Sequence, residues 1–381
     1  MGNRNAYYHL CNQRHRIEED HIDPNCLGFE INENEHHKSP GQLWAEAIQP
    51  ITEKLEAKGD AAWTEIFAEY DRYSTRQFLQ ENNWSEGAIE MFGLLENQES
   101  RMEASFVEAL LASVGHVFED MYQIEGGTDH LPRAFLPDLK SRIRFGADVV
   151  SIDQSEDSVT IHYQTAAGRN QVTGDYAIIT IPFSVLRHIE VLKPFSRGKQ
   201  RAIRQLRYDA STKIFFQCRR RFWEEDDGIY GGGSVTDLAV RNIYYSEHGR
   251  ETGRGVMVAS YTWADDAHRW GSLTPNRRIA QALEDVAQVH PQINEEFEVG
   301  ASKVWHEDEY ACGAFALFNP GQQTLLHEHI IAPEGRIHFA GEHTTILHRW
   351  IQSAIESGLR AADAIHQATH QQLVSAASPI V

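Results

Sequence analysis

The sequence predicts a mixed α/β fold, α+β in its layout, and three observations predict it. Residues 39–120 carry apolar side chains at helical spacing. Residues 142–182 are β-rich and cut by turn signals. Residues 337–366 read as a short apolar strand, a polar turn and a helix. With 381 residues the chain is long enough for two or three domains.

The helical part opens at Ser39–Pro40, a plausible N-cap followed by a first helical position. Leu43, Ala47, Ile48, Ile51 and Leu55 then recur on one face, with Pro50 a kink candidate. Trp63, Ile66, Phe67 and Tyr70 continue the pattern, and Ser74 with Gln77 forms a capping box ahead of Phe78 and Leu79. A further helix carries Phe106, Leu110, Leu111, Val114, Val117 and Phe118. Between 142 and 182, "ADVVSID", "SVTIHYQ" and "QVTGDYAIITIP" predict a three-stranded meander and then a buried strand through Ile178, Ile179 and Ile181. Residues 210–310 mix strands such as "TKIFFQC" and "VMVASYTW" with aromatic residues.

Composition excludes several classes. The apolar share of 41% and charged share of 24% are those of an ordinary globular protein. No apolar run is long enough to span a bilayer, and the N-terminus has neither an apolar signal core nor, at Ala6, the hydroxyl of a myristoylation pattern. A formal charge of −20 repels phosphate backbones, so nucleic acid is not expected as a partner. Cys11, Cys26, Cys218 and Cys312 form no CxxC pair, which points to isolated buried thiols and a cytoplasmic setting. The 20 histidines include His327, His329, His343 and His348, but no HExxH, so no metal site is expected.

The stretch "FAGEHTTILHRWIQSAIESGLRAADAIH" carries the most chemistry. A helix N-terminus offers unpaired N–H groups and partial positive charge, which suit an anion or an electron-rich ring edge. Gly341 permits close approach to backbone, Glu342 can accept from hydroxyls, and Trp350 supplies a flat wall. Ser353, Ala354, Gly358, Ala361 and Ala362 allow the helix to pack closely on a sheet. By itself this is also compatible with an ordinary strand–turn–helix.

The stretch resembles the C-terminal flavin-binding segment of the flavin amine oxidases, most closely the L-amino-acid oxidases. "EGGTDHLPRAF", "IRFGADVVSI", "STKIFFQCRRRFWEEDDGIYGGGSVTDLAVRNIYY", "VASY" and "VWHEDEYACGAF" extend the resemblance over nearly the whole chain from about Asn5. It implies FAD as cofactor and a fold with a discontinuous FAD-binding-type domain (119–209 and 330–371). A mixed-sheet substrate domain (210–329), a helical insertion domain (39–118), a remnant of the substrate or FAD region (1–38) and a tail (372–381) complete it. It also implies roles. Lys213 corresponds to the lysine that holds a water near flavin N5, and Tyr261 to the tyrosine that donates to the substrate carboxylate. Trp305 and Trp350 correspond to cavity walls. Val149, Gly341, Glu342, Trp350, Ile351, Gln352 and Ser353 fall at cofactor-binding positions.

Two departures shape the functional expectation. The family's strand–GxGxxG–helix unit does not occur, since Gly231–Gly232–Gly233 reads as a loop. The expected chain therefore begins after that unit, and holds little FAD alone. Arg349 stands where the oxidases usually have glycine, beside the substrate, while Gln352 and Ala354 replace an aspartate and a threonine. The implied reaction converts an L-amino acid to a keto acid, ammonia and hydrogen peroxide, with O2 as oxidant. The alternatives are an oxidase of primary amines or polyamines, and a non-catalytic fragment. Expected partners are a small amino acid or amine, and either a homodimer mate or a separate chain supplying the missing unit.

Overall fold

The computed structural model describes residues 5–17, 27–115, 117 and 122–377, with side chains described to residue 370. Cys26, Phe118 and the chain ends at 1–4 and 378–381 lie outside the described residues. The chain divides into two compact units, one of Met1–Leu110 with Asp209–Ala314 and one of Leu111–Tyr208 with Phe315–Val381.

The first unit is built on a seven-stranded sheet. Its strands run in the order Phe297–Val304, Ser211–Cys218, Gly255–Trp263, Asn242–Tyr245, Gly233–Thr236, Tyr7–Leu10, Gln13–Arg16. All neighbours are antiparallel except Tyr7–Leu10 against Gly233–Thr236. One face is covered by the helix Pro275–Val289, whose Ala282, Val286 and Val289 join Ile214, Phe216, Met257 and Trp223 in the core. The parallel strand is sewn in by a buried polar chain. His290 bonds Asp227 through Nδ1 at 3.0 Å and the Tyr245 hydroxyl through Nε2 at 2.7 Å. Tyr245 and the Ser234 hydroxyl are 2.6 Å apart, and Ser234 Oγ accepts the Tyr7 N–H at 2.9 Å. The Tyr7 hydroxyl closes the ring by donating to Asp227 at 2.9 Å.

The helical part of this unit follows the predicted pattern. Ser39 caps Pro40–Lys58 and forms a capping box with Gln42, and the helix runs on through Pro50. Ser74 and Gln77 do the same for Thr75–Glu81. A helix at Glu86–Leu95, which the sequence reading passed over, supplies buried Ile89, Met91 and Phe92. Phe78 stacks on Phe106 at 3.7 Å and Trp44 on Phe92 at 5.1 Å, so aromatic faces form this core. The helix through Phe106 ends at Val114, short of the predicted Val117. Of the described thiols only Cys218 is buried; Cys11 is exposed and Cys312 is half-buried, which corrects the expectation of buried cysteines.

The second unit contains the predicted meander, Asp148–Gln154, Val159–Thr165 and Gly168–Gly174, extended by Glu190–Val191. Ala177–Ile179 pairs in parallel with Ile337–Phe339. The strand ends at Ile179, and Ile178 is partly exposed while Ile179 is buried. The core here comprises Phe183, Phe195, Phe318, Ile330, Ile337 and Phe339. Among the described residues no helix is long and apolar enough to cross a membrane.

Lys199 is enclosed in that core, fully buried. Its ammonium donates to the Ile330 carbonyl at 2.6 Å and lies 3.6 Å from the Phe339 ring centroid. Ile330 is in the last turn of Gln322–Ile331, so the lysine meets a carbonyl that the helix leaves unbonded. Burial pushes its pKa down to about 7. An unfolded lysine titrates near ~10.4, so between the two values the unfolded chain holds a proton that the folded chain lacks. This group therefore makes stability rise with pH from about 7 to ~10.4. Lys199→Met should lack that rise. Chemical denaturation at pH 7 and pH 10 should show wild type gaining stability relative to the variant at the higher pH; an unchanged difference contradicts the assignment.

Candidate functional site

In the first unit the site residues are placed by the central strand Ser211–Cys218. Ile214, Phe216 and Cys218 point into the core, which leaves Lys213 on the opposite face. Its cross-strand partners are Tyr261 and Lys303. Tyr261 reaches that face because the pairing of Gly255–Trp263 shifts between Val258 and Ser260. Before the bulge the buried residues are Gly255 and Met257; after it they include Ser260 and Thr262. The extra residue turns Tyr261 and Trp263 onto the face of Lys213.

The Lys213 ammonium sits 4.1 Å from the Tyr261 ring centroid, a cation over an aromatic face. Tyr261 in turn packs on Trp263 at 4.3 Å. Lys303 would repel Lys213 across the strand, but it forms an ion pair with Asp308 and lies 4.9 Å from the Trp305 ring. Trp305 is exposed. Lys303 and Asp308 escaped the sequence reading. The alternation along "STKIFFQC" and "ASKVW" was the available signal for Lys303.

In the second unit the strand Ile337–Phe339 leads into Gly341, whose φ of +124° favours glycine. A Cβ there would stand 2.8 Å from the His343 ring. The turn is strapped to the helix Ile351–Ala377. Gly341 N–H donates to the Ser357 hydroxyl at 2.8 Å, Thr344 Oγ1 donates to the Gly341 carbonyl at 2.9 Å, and Arg360 donates to the Thr344 carbonyl at 2.9 Å. Glu342 works first as a clamp: Oε1 accepts the Ala316 N–H at 3.0 Å and Oε2 accepts the Arg349 N–H at 2.8 Å.

The helix begins beyond Trp350, with Ala354 N–H donating to the Trp350 carbonyl at 3.2 Å. Ile351, Gln352 and Ser353 therefore supply first-turn N–H groups that the helix itself cannot bond. Ser353, Ser357 and Ala361 face inward, while Ile351, Ile355 and Leu359 are exposed. His343 is buried, and burial together with His348, Lys199 and Arg360 pushes its pKa down to about 3. It stays neutral, and its Nε2 makes no hydrogen bond to a described residue. Val149 is half-buried and packs against the core that includes Ile337 and Phe339. Its strand pairs with Glu190–Val191 only from Ser151 on, so along that edge no strand partner meets Val149 among the described residues.

A positive-φ glycine that packs without a Cβ, first-turn N–H groups and an unbonded imidazole nitrogen suit an electron-rich ring system and its phosphates. Among the described residues no group of three or more His, Cys, Asp or Glu side chains gathers to hold a metal ion.

The family described as "Flavin containing amine oxidoreductase" matches residues 29–366. A putative L-amino-acid oxidase of Bacillus subtilis is 40% identical over 89% of this chain and 72% of its own length. The L-amino-acid oxidase of Vipera ammodytes ammodytes is 37% identical over 97% of this chain and 77% of its own. Among solved structures, a putrescine oxidase variant superposes with a TM-score of 0.75 at 19% identity, covering 95% of this chain and 80% of that one. Cyclohexylamine oxidase from Brevibacterium oxydans also gives 0.75, at 16% identity over 96% and 81%. At these identities the structures establish a shared fold.

Arg349 has a φ of +80°, in the left-handed region where a side chain is strained. Its guanidinium lies 5.7 Å from the Phe315 ring centroid, and its amide is held by Glu342. The conformation is the one that glycine adopts freely. Arg349→Gly should leave stability within about 1 kcal/mol of wild type, because relief of strain offsets lost packing, whereas β-branched Arg349→Val should cost about 1–3 kcal/mol. Denaturant midpoints of the three proteins check this, and equal midpoints for the Gly and Val variants contradict it.

Proposed function

We propose, for a chain that belongs to the flavin-containing amine oxidoreductases and has FAD as its cofactor, the oxidative deamination of an L-amino acid. Substrate, water and O2 give a keto acid, ammonia and hydrogen peroxide. The observation that carries this reading is the register of the central sheet. It sets Tyr261 beside Lys213, so that a hydroxyl donor and a cation share one face. The relatives named as L-amino-acid oxidases support the same choice of substrate.

Each group has a physical role in this reading. Tyr261 donates its hydroxyl to the α-carboxylate of the substrate. Lys213 holds a water and keeps positive charge where negative charge develops. Trp305 supplies an apolar wall in the first unit, and Trp350 supplies one in the second. Arg349 marks the substrate end of the turn in the second unit. Gly341, Glu342, Ile351, Gln352 and Ser353 would hold FAD through backbone N–H groups and a carboxylate, and Val149 through backbone. When bound, FAD supplies the two-electron acceptor.

The test is peroxide release by the chain supplied with FAD, with L-amino acids compared against a diamine such as putrescine. Peroxide from L-amino acids with a matching yield of ammonia is expected. Activity on the diamine alone overturns the substrate assignment. Lys213→Met should lower turnover about 10²-fold while leaving the melting temperature unchanged, since one well-placed charge is removed from a reacting site. Unchanged turnover would remove Lys213 from the chemistry.

A further inference from the structure

The long helix Ile351–Ala377 buries Ala361, and from Ala362 to His370 none of its side chains is buried. His366 and His370 lie on this outer stretch four residues apart, which puts them on one face, one turn above the other. Their ring centroids are 4.4 Å apart with the planes at 84°. Both are exposed, and neither imidazole makes a hydrogen bond to a described residue. Their neighbours bond elsewhere: Gln367 donates to Asp363 at 2.6 Å, and the Thr369 hydroxyl donates to the Ile365 carbonyl at 2.9 Å. From Ala361 to Val381 the sequence holds no lysine or arginine, and its one acidic side chain, Asp363, sits a turn before His366. Local charge therefore does not oppose a cation at this face.

We propose that His366 and His370 form a surface chelate for a divalent transition metal ion of the class that imidazole binds well, Cu2+, Ni2+ or Zn2+. Metal–nitrogen bonds of roughly 2.0–2.1 Å hold two ligand nitrogens about 3.3 Å apart in a tetrahedral shell. A turn of each ring from the present edge-to-face contact brings the nitrogens to that separation. The stretch "HQATH" keeps the histidine spacing of HExxH and has Gln367 in place of the glutamate. It offers the two ligands without the general base, and water completes the shell, so the pair binds an ion without hydrolytic chemistry. The effect falls on the helix: an ion that joins residues four apart closes a turn whose side chains have no packing to hold them. The other close pair, His268 and His306 at 4.5 Å, is less suited, because Arg278 adds positive charge beside His306.

Copper sulfate titrated into the full chain as purified, after dialysis against a chelator, tests this. Wild type should take up a tight equivalent of Cu2+ whose electron paramagnetic resonance shows splitting from two nitrogens. Cu2+ should bind more tightly than Ni2+ or Zn2+. His366→Ala and His370→Ala should each weaken Cu2+ binding on the order of 10-fold to 100-fold, because the second imidazole binds intramolecularly. Each should also reduce the splitting to one nitrogen. The metal-free melting temperature should stay as in wild type, since both side chains are exposed. Zinc chloride should slow hydrogen exchange of the amides at 366–370 in wild type and not in the double variant His366→Ala/His370→Ala. A tight equivalent that survives the double variant, one that is lost in His268→Ala, or a wild-type signal from a single nitrogen overturns the inference.

Discussion

The ladder on both sides of Ser211–Cys218 is the constraint on which the first unit depends. This strand pairs with Gly255–Trp263 on one edge and Phe297–Val304 on the other over nearly its whole length, with one register shift on each edge. Its alternate residues Ile214, Phe216 and Cys218 are fully buried, so a slip of one residue would drive Lys213 and Phe215 into the core. The apolar face therefore holds the polar face in place. Lys213 is positioned by the burial of its neighbours, not by a bond of its own. The row Tyr261, Lys213, Lys303 across three strands follows from that register.

The second unit solves a different problem. A strand must end, turn and start a long helix while leaving helix N–H groups available. Glu342 manages this by bonding the backbone of Ala316 and Arg349 at once, which pins both ends of the turn. Ser357 and Arg360, one and two turns down the helix, bond the backbone of Gly341 and Thr344. Burial, helped by nearby cationic groups, keeps the histidines neutral: His343 is pushed down to about 3 and His327 to about 4. A neutral imidazole against Gly341 adds no charge to the turn. The carboxylate most easily taken for a ligand thus has a structural duty as well.

These two constructions share a principle. In each, the residue that carries chemistry is held by backbone geometry that its neighbours enforce. The bulge near Ala259 reverses the alternation of one strand, and the left-handed backbone at Arg349 reverses the chain after a turn. Both are local irregularities in otherwise regular elements, and such irregularities gather where a side chain must be re-aimed.

Much of this was open to a reader of the sequence. The capping boxes at Ser39 and Ser74, the meander from 148 to 174 and the strand–turn–helix after Ile337 depend on local chemistry. A hydroxyl that caps a helix, or a glycine that admits positive φ, acts within a few residues of itself. The resemblance to flavin amine oxidases was likewise carried by contiguous stretches, and the family match over residues 29–366 agrees with it. What tertiary structure decided was pairing across distance. The expected buried thiols failed at Cys11 and Cys312 because burial depends on what packs above a residue. The helix through Phe106 stopped at Val114, because apolar periodicity does not say where the backbone turns away. Strict alternation along "VMVASYTW" puts Tyr261 on the same face as Met257, in the core; only the register shift against Ser211–Cys218 places it beside Lys213. Local rules determine which elements form; the meeting of side chains on one face waits for the long-range pairing that burial of the opposite face enforces.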